Sequence, residues 1–261
     1  MKNRKHRNVF LALTALTAFA AFKPAAAQYA LHPSFYGSGE IDTRHSQFYL
    51  LGMYVGVGGL GWSPYFNVNG YALHYHPVPD SRIVTVNGGG SGTQALFSNT
   101  STLSAVAPTV GLAYASRANG VSFGAGYTFV HKENPGAPGA EGGGTSGVTA
   151  SFGAYHNGTG RRALRTQLLS NYNFDSQYAW ARVRGSVPFG TASRIGAEVV
   201  GQGGGKDNNT SNSWQVGPTF EYAWTRQLRT TFAAGWKSVG GTLFDERENA
   251  AYLKAEFSFS P

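Results

Sequence analysis

An antiparallel up-and-down transmembrane β-barrel of about twelve strands is the fold class that three features of this 261-residue sequence predict. Apolar residues recur at every second position over long stretches. Charged residues make up 13% of the chain, against about 25% in a soluble domain. No stretch reaches the ~18–20 uninterrupted apolar residues of a membrane helix. With 36 Gly and 14% aromatics, the composition fits an ordinary soluble enzyme poorly. The absence of Cys excludes a disulfide framework and thiol chemistry.

Residues 1–27 read as a cleaved signal peptide, leaving 28–261 as the barrel. Lys2, Arg4, Lys5 and Arg7 form a basic start, Val9–Phe22 is an apolar run, and Ala25-Ala26-Ala27 supplies a small-residue cleavage site. Cleavage removes these four and Lys23. The 21 Lys and Arg then become 16 against 13 acidic residues, and the net charge falls from +8 to +3. The basic balance therefore belongs mostly to the signal and gives no case for nucleic-acid binding.

From residue 29 the chain alternates. The first three segments are 29–40, 46–57 and 60–76, the last two joined across Gly58-Gly59. The third places Tyr65, Asn67, Asn69 and Tyr71 on one face. Segments 102–116 and 119–132 meet at Arg117-Ala118, and the second turns Ser122, Gly124, Gly126 and Thr128 to one side. Segments 145–157 and 163–174 follow, joined by Gly158 to Arg162. After Asp175-Ser176 come 177–187 and 192–202, joined by Phe189-Gly190-Thr191. The last three, 212–224, 228–238 and 249–259, alternate most plainly. Trp214, Val216, Pro218, Phe220, Tyr222 and Trp224 oppose Gln215, Gly217, Thr219, Glu221 and Ala223. Successive strand side chains point to opposite faces, so each segment has one oily side. Boundaries are good to about three residues, and ten or fourteen strands fit the same pattern.

A soluble β-sandwich also alternates, but its strands run about 5–6 residues. These segments run about 10–13, enough to cross a bilayer at a tilt. Trp214 and Trp224 stand ten residues apart on one face. That is roughly 33 Å of strand, or about 25 Å of height at a ~40° tilt, the spacing of the aromatic girdles of an outer-membrane barrel. Trp62 and Trp236 join them as girdle residues. The connections alternate between short turns and longer polar linkers, the longest being Pro77–Ser101 and Lys132–Thr145. Short turns belong to the periplasmic side of such a barrel.

The candidate site is the inward face. In the last six segments it carries Arg165, Arg182, Arg184, Arg194, Arg229, Lys237 and Lys254, with Glu198, Glu221 and Glu256. Seven cations against three carboxylates suit an anion-selective or sugar-permeable passage. The same residues suit an ion-pair network bracing a plugged lumen, because a barrel of this size is only slightly wider than its packed side chains. Tyr65, Asn67, Asn69 and Tyr71 suit carbohydrate contact through ring stacking and hydroxyl hydrogen bonds, or an uncharged packed wall. His74, His76, His131 and His156 read as outward-facing near the outer leaflet, where lipid chemistry, metal capture or plain interfacial contact are open. No Ser-His-Asp spacing is diagnostic, so no enzyme, metal or cofactor is expected. Gly203-Gly204-Gly205-Lys206 is not a phosphate loop, because Val200 and Asp207 replace the required Gly and Ser/Thr.

Residues 164–259 carry Leu169-Ser-Asn-Tyr172, Tyr178-Ala-Trp-Ala-Arg-Val-Arg184, Ile195-Gly-Ala-Glu198, Ser213-Trp-Gln-Val-Gly217 and Ala233-Ala-Gly-Trp236. In that order they resemble the cellulose biosynthesis protein BcsS family. Ala197 stands where that family has Pro, and Val216 where it has Arg. The resemblance implies an accessory role in exopolysaccharide export and carries no catalytic residue. The closing Phe257-Ser-Phe259 resembles the signal read by the barrel-insertion machinery, with Ser260-Pro261 as a departure. The expected function is passage, or assistance to passage, of a solute or exopolysaccharide across the outer membrane of a Gram-negative bacterium. The expected partners are outer-membrane lipid and lipopolysaccharide, the insertion machinery, and a polysaccharide or small solute. The alternatives are an outer-membrane lipid hydrolase and a plugged structural or adhesive barrel.

Overall fold

The computed structural model describes residues 31–44, 46–57, 59–75, 101–132, 146–158, 163–204, 211–240 and 247–261. The expected signal peptide, His45, His76, most of the two longest linkers and residues 205–210 lie outside them.

Twelve strands form, in the order β1 (Leu31–Asp42), β2 (Gln47–Val57), β3 (Gly61–Tyr75), β4 (Ser101–Ala115), β5 (Asn119–Lys132) and β6 (Gly147–Asn157). The order continues with β7 (Arg165–Asn173), β8 (Tyr178–Pro188), β9 (Ser193–Gly204), β10 (Ser211–Ala223), β11 (Leu228–Gly240) and β12 (Glu248–Phe259). Each pairs antiparallel with its sequence neighbours, and β1 pairs with β12 from Phe35↔Phe259 to Asp42↔Tyr252, closing the barrel. Closure satisfies every strand edge internally, which lipid requires.

The strand count matches the alternation, and the ends differ by one or two residues. β1 runs two residues later than expected, so Asp42 joins it. β9 continues to Gly204 and β11 to Gly240. Alternation fades where Gly supplies no side chain, while the backbone ladder goes on.

Five short connections, β2–β3, β4–β5, β6–β7, β8–β9 and β10–β11, share one end with the start of β1 and the end of β12. At the β8–β9 turn Gly190 takes φ 86°, a left-handed conformation that needs Gly, and Phe189 N donates to Ser193 O at 2.9 Å. The β7–β8 connection at the opposite end is also tight. Asn173 Oδ1 accepts from the backbone of Asp175 and Ser176, both at 3.0 Å, and Asp175 Oδ2 accepts from Val148 N at 2.8 Å.

The outer wall is apolar. Val110 is 62% exposed, and Leu112, Phe123, Val183, Phe232 and Leu253 are exposed beside it. Large apolar side chains that turn away from the interior on a closed barrel face a bilayer. Trp62 and Trp224 stand on this wall at the short-turn end, and Trp214 and Trp236 toward the other end, all exposed.

Candidate functional site in the barrel lumen

Register decides which side chains share the lumen. Arg184 pairs with Glu198, Glu198 with Gly217, and Gly235 with Tyr252, so one parity of each strand points inward throughout. Arg165, Arg182, Arg184, Arg194, Arg229, Lys237, Lys254, Glu198, Glu221, Glu256, Tyr65, Asn67, Asn69 and Tyr71 all occupy inward positions of this register. They do not form one site.

The central group lies at mid-height between β8, β9 and β12. Glu198 is 1% exposed. It accepts from Arg184 Nη2 at 2.6 Å and Nε at 3.2 Å, and pairs with Lys254 of β12. Glu256, also on β12, accepts from Arg182 at 2.6 Å and from Arg184 at 2.8 Å. Arg182 donates a second hydrogen bond to Gln167 Oε1 at 3.0 Å. Strand β12 stands four places round the wall from β8, so these arginines bridge the interior. Three cations share two carboxylates in a site that water barely reaches. Bidentate and shared contacts of this kind offset the cost of taking each charge out of water.

A second group sits toward the long-loop end. Glu40 accepts from Gln215 Nε2 at 2.8 Å and from Lys237 at 3.1 Å, and Lys237 reaches Asp42 at 3.2 Å. Asp42 also holds its own turn by accepting from the backbone of Arg44 and Ser46 at 2.9 and 3.0 Å. Arg44 and Glu248 pair beside it. Glu40 and Asp42 are the carboxylates that the inward count above omits. Their spacing of two, in step with Tyr36 and Ser38, is the signal that marks them.

The third group lies at the short-turn end. Arg165 pairs with Glu221 at 2.6 Å. Arg194 donates to Ser186 Oγ at 3.1 Å and to the carbonyls of Ala163 and Ser186 at 2.7 and 2.8 Å. Arg229 is exposed at this rim.

The remaining wall, β2 to β6, is built mostly from Tyr, Asn, Ser, Thr, Ala and Gly, with Phe48, Leu50, Leu73 and Leu103 inward toward the long-loop end. Tyr36 Oη lies 2.7 Å from Asn67 Oδ1 and also contacts Asn69. Tyr65 stacks on Tyr54 with ring centroids 5.1 Å apart and is 8% exposed. It lies over Gly124, where an added Cβ would meet its hydroxyl at 2.2 Å. The polar atoms proposed for sugar contact are thus partly engaged within the wall: Asn67 and Asn69 bind Tyr36, and Tyr65 is packed. Tyr54, Ser122 and Ser151 are half-buried and face the same space.

The histidines separate. His74 and His131 face outward toward the long-loop end. His156 does not join them. β6 runs toward the short turns, so His156 lies at the opposite end, with Nδ1 2.7 Å from Asn119 Oδ1. Among the described residues no group of three His, Asp or Glu is placed to hold a metal ion.

No protein-family model matches the chain, and no curated protein matches it. The BcsS resemblance therefore rests on the residues quoted above alone. Solved structures do match. The β domain of the Bordetella autotransporter BrkA shares 10% identity, with 89% of this chain and 100% of that one covered and a TM-score of 0.49. LpxR from Salmonella typhimurium shares 12% identity over 87% and 99% of the two chains, with a TM-score of 0.48. An outer membrane channel from Pseudomonas putida F1 shares 8% identity over 92% and 100%, with a TM-score of 0.47. The structures to which this chain is similar are outer-membrane β-barrels, and at these identities the likeness is one of fold.

Proposed function

We propose that the chain is an outer-membrane barrel of a Gram-negative bacterium that gives small uncharged solutes a narrow path, not a wide anion pore. The observation that carries this reading is Glu198, held between Arg184 and Lys254 in mid-lumen at 1% exposure. A ring of free cations would favour anions in a narrow low-dielectric channel. Here five of the seven inward cations, Arg165, Arg182, Arg184, Lys237 and Lys254, point at carboxylates, which also number five counting Glu40 and Asp42. The charged half acts as a rib across the barrel. The half-buried Tyr54 of β2, Ser122 of β5 and Ser151 of β6 line the wall left over, and the inward positions of the neighbouring β3 and β4 carry no charge.

The rib equally supports a second reading, a plugged barrel with an accessory role in exopolysaccharide export. Planar-bilayer recording and liposome swelling separate the two. A narrow neutral path gives low conductance with little anion preference, and slow swelling in a small neutral sugar. No conductance and no swelling would favour the plugged accessory barrel. Large anion-selective steps would overturn both.

A further inference from the structure

We propose that the outer wall carries two sites for an anionic phospholipid of the periplasmic leaflet, one centred on the β4–β5 hairpin and one on β10–β11. The inference rests on the reading of this wall as lipid-facing.

The two hairpins repeat one another. Tyr114-Ala115 corresponds to Tyr222-Ala223, and Ser122-Phe-Gly-Ala-Gly-Tyr127 to Thr231-Phe-Ala-Ala-Gly-Trp236. They stand six strands apart in a ring of twelve, on opposite sides of the barrel. Register near the turns agrees. Gly111↔Gly124 and Leu112↔Phe123 in the first hairpin match Thr219↔Ala233 and Phe220↔Phe232 in the second.

Each hairpin bears an apolar hollow at the same height, that on β10–β11 widened by Val187, Ile195 and Leu253 of flanking strands and that on β4–β5 bounded by Trp62 of β3. One, of about 640 Å³, is floored by Ala233 and Ala234 between Phe220 and Phe232. The other, of about 500 Å³, is floored by Gly124 and Ala125 between Leu112 and Phe123. Pro218 in the first occupies the position of Val110 in the second. The small residues make the hollow and the large ones wall it, twice over. Both are open hollows on the wall, shaped to take a chain lying along the surface.

The surroundings specify the occupant. Leu112 and Phe220 stand three residues above the ends of their strands. At ~3.3 Å per residue and a ~40° tilt, that is about 7–8 Å above the short-turn boundary, within one leaflet. At that boundary each hairpin has a Tyr packed against a Trp. Tyr114 meets Trp62 at 5.4 Å and Tyr222 meets Trp224 at 4.8 Å. Each turn below then presents one exposed arginine at the matching position, Arg117 in one and Arg226 in the other. Apolar cleft, interfacial aromatic pair and cation follow in the order of acyl chain, ester region and phosphate. A second protein copy fits less well. The clefts have ten and seven lining residues, against roughly 20–30 on each side of a stable interface.

Native mass spectrometry of the full barrel, released from micelles containing phosphatidylglycerol, tests the proposal. The wild type should keep two lipids, Ala125→Trp one, and Ala125→Trp with Ala234→Trp none. Arg117→Gln with Arg226→Gln, in exposed turns that leave the wall intact, should erase any preference for phosphatidylglycerol over phosphatidylcholine. Two lipids kept by the double Trp variant would overturn the proposal. So would none kept by a wild type that is heat-modifiable on gels, displacement by lipopolysaccharide, or a mass of two chains lost in that variant. A wild type that is not heat-modifiable would instead overturn the membrane-barrel reading beneath it.

Discussion

Glu198 is the residue on which the lumen turns. Removing one partner from a buried ion-pair group costs about 3–5 kcal/mol, because the other charges stay buried without it. Glu198→Ala leaves Arg182, Arg184 and Lys254 to share Glu256 alone and should lower the unfolding temperature steeply in detergent. Glu198→Gln keeps the shape, loses the charge and should still destabilise. Arg229→Ser, at the exposed rim, should leave the unfolding temperature unchanged; equal losses at Glu198 and Arg229 would contradict the rib. On the lipid side, Phe232→Arg puts a charge inside the apolar band and should cost folding stability, up to the ~2–4 kcal/mol of a midplane charge. Gln215→Arg is not the mild control that its inward parity alone suggests. Gln215 is 5% exposed and bonded to Glu40, so a longer cation there must displace Lys237.

At the scale of the element, glycine spacing sets how closely strands approach. A Cβ at Gly196 of β9 would stand 2.0 Å from Gly185 O across the β8–β9 pair, whereas one at Gly185 would meet nothing within 4 Å. Gly196→Ala must push backbone, and overpacking of this kind costs about 1–3 kcal/mol. Gly185→Ala should be neutral. Refolding yield of the two variants, followed by gel mobility with and without heating, checks the contrast. Equal yields would mean that the strands have room to part.

For the whole molecule, closure predicts cooperative behaviour. The β1–β12 ladder joins the first strand to the last, and the Glu40–Lys237 and Gln215 bonds brace it from inside. Folded protein should be β-rich by circular dichroism and heat-modifiable on gels. Deleting residues 248–261 removes β12 with Lys254 and Glu256 and should abolish the folded band. A folded band after that deletion would mean that the barrel closes some other way. Protease added to intact cells should cut within 77–100 or 133–145 and spare Arg117-Ala118, as the orientation with short turns in the periplasm requires.

The sequence by itself pointed to twelve strands and determined the inward and outward parity, that of Trp62, Trp214, Trp224 and Trp236 included. Side-chain direction in a strand is a local, period-two property, so Trp214 and Gln215 fall on opposite faces whatever the rest of the chain does. Ends of strands were less legible, because Gly203 and Gly204 carry no side chain to alternate. Height was legible only through strand direction, which is why His156 falls at the short-turn end although its face reads correctly. Tertiary structure alone decided who meets whom in the lumen. Arg182 and Glu256 are 74 positions apart, and Lys237 and Glu40 are 197. No local rule brings such residues together. Only closing twelve strands into a ring narrow enough for side chains to cross brings five of the seven inward cations onto carboxylates.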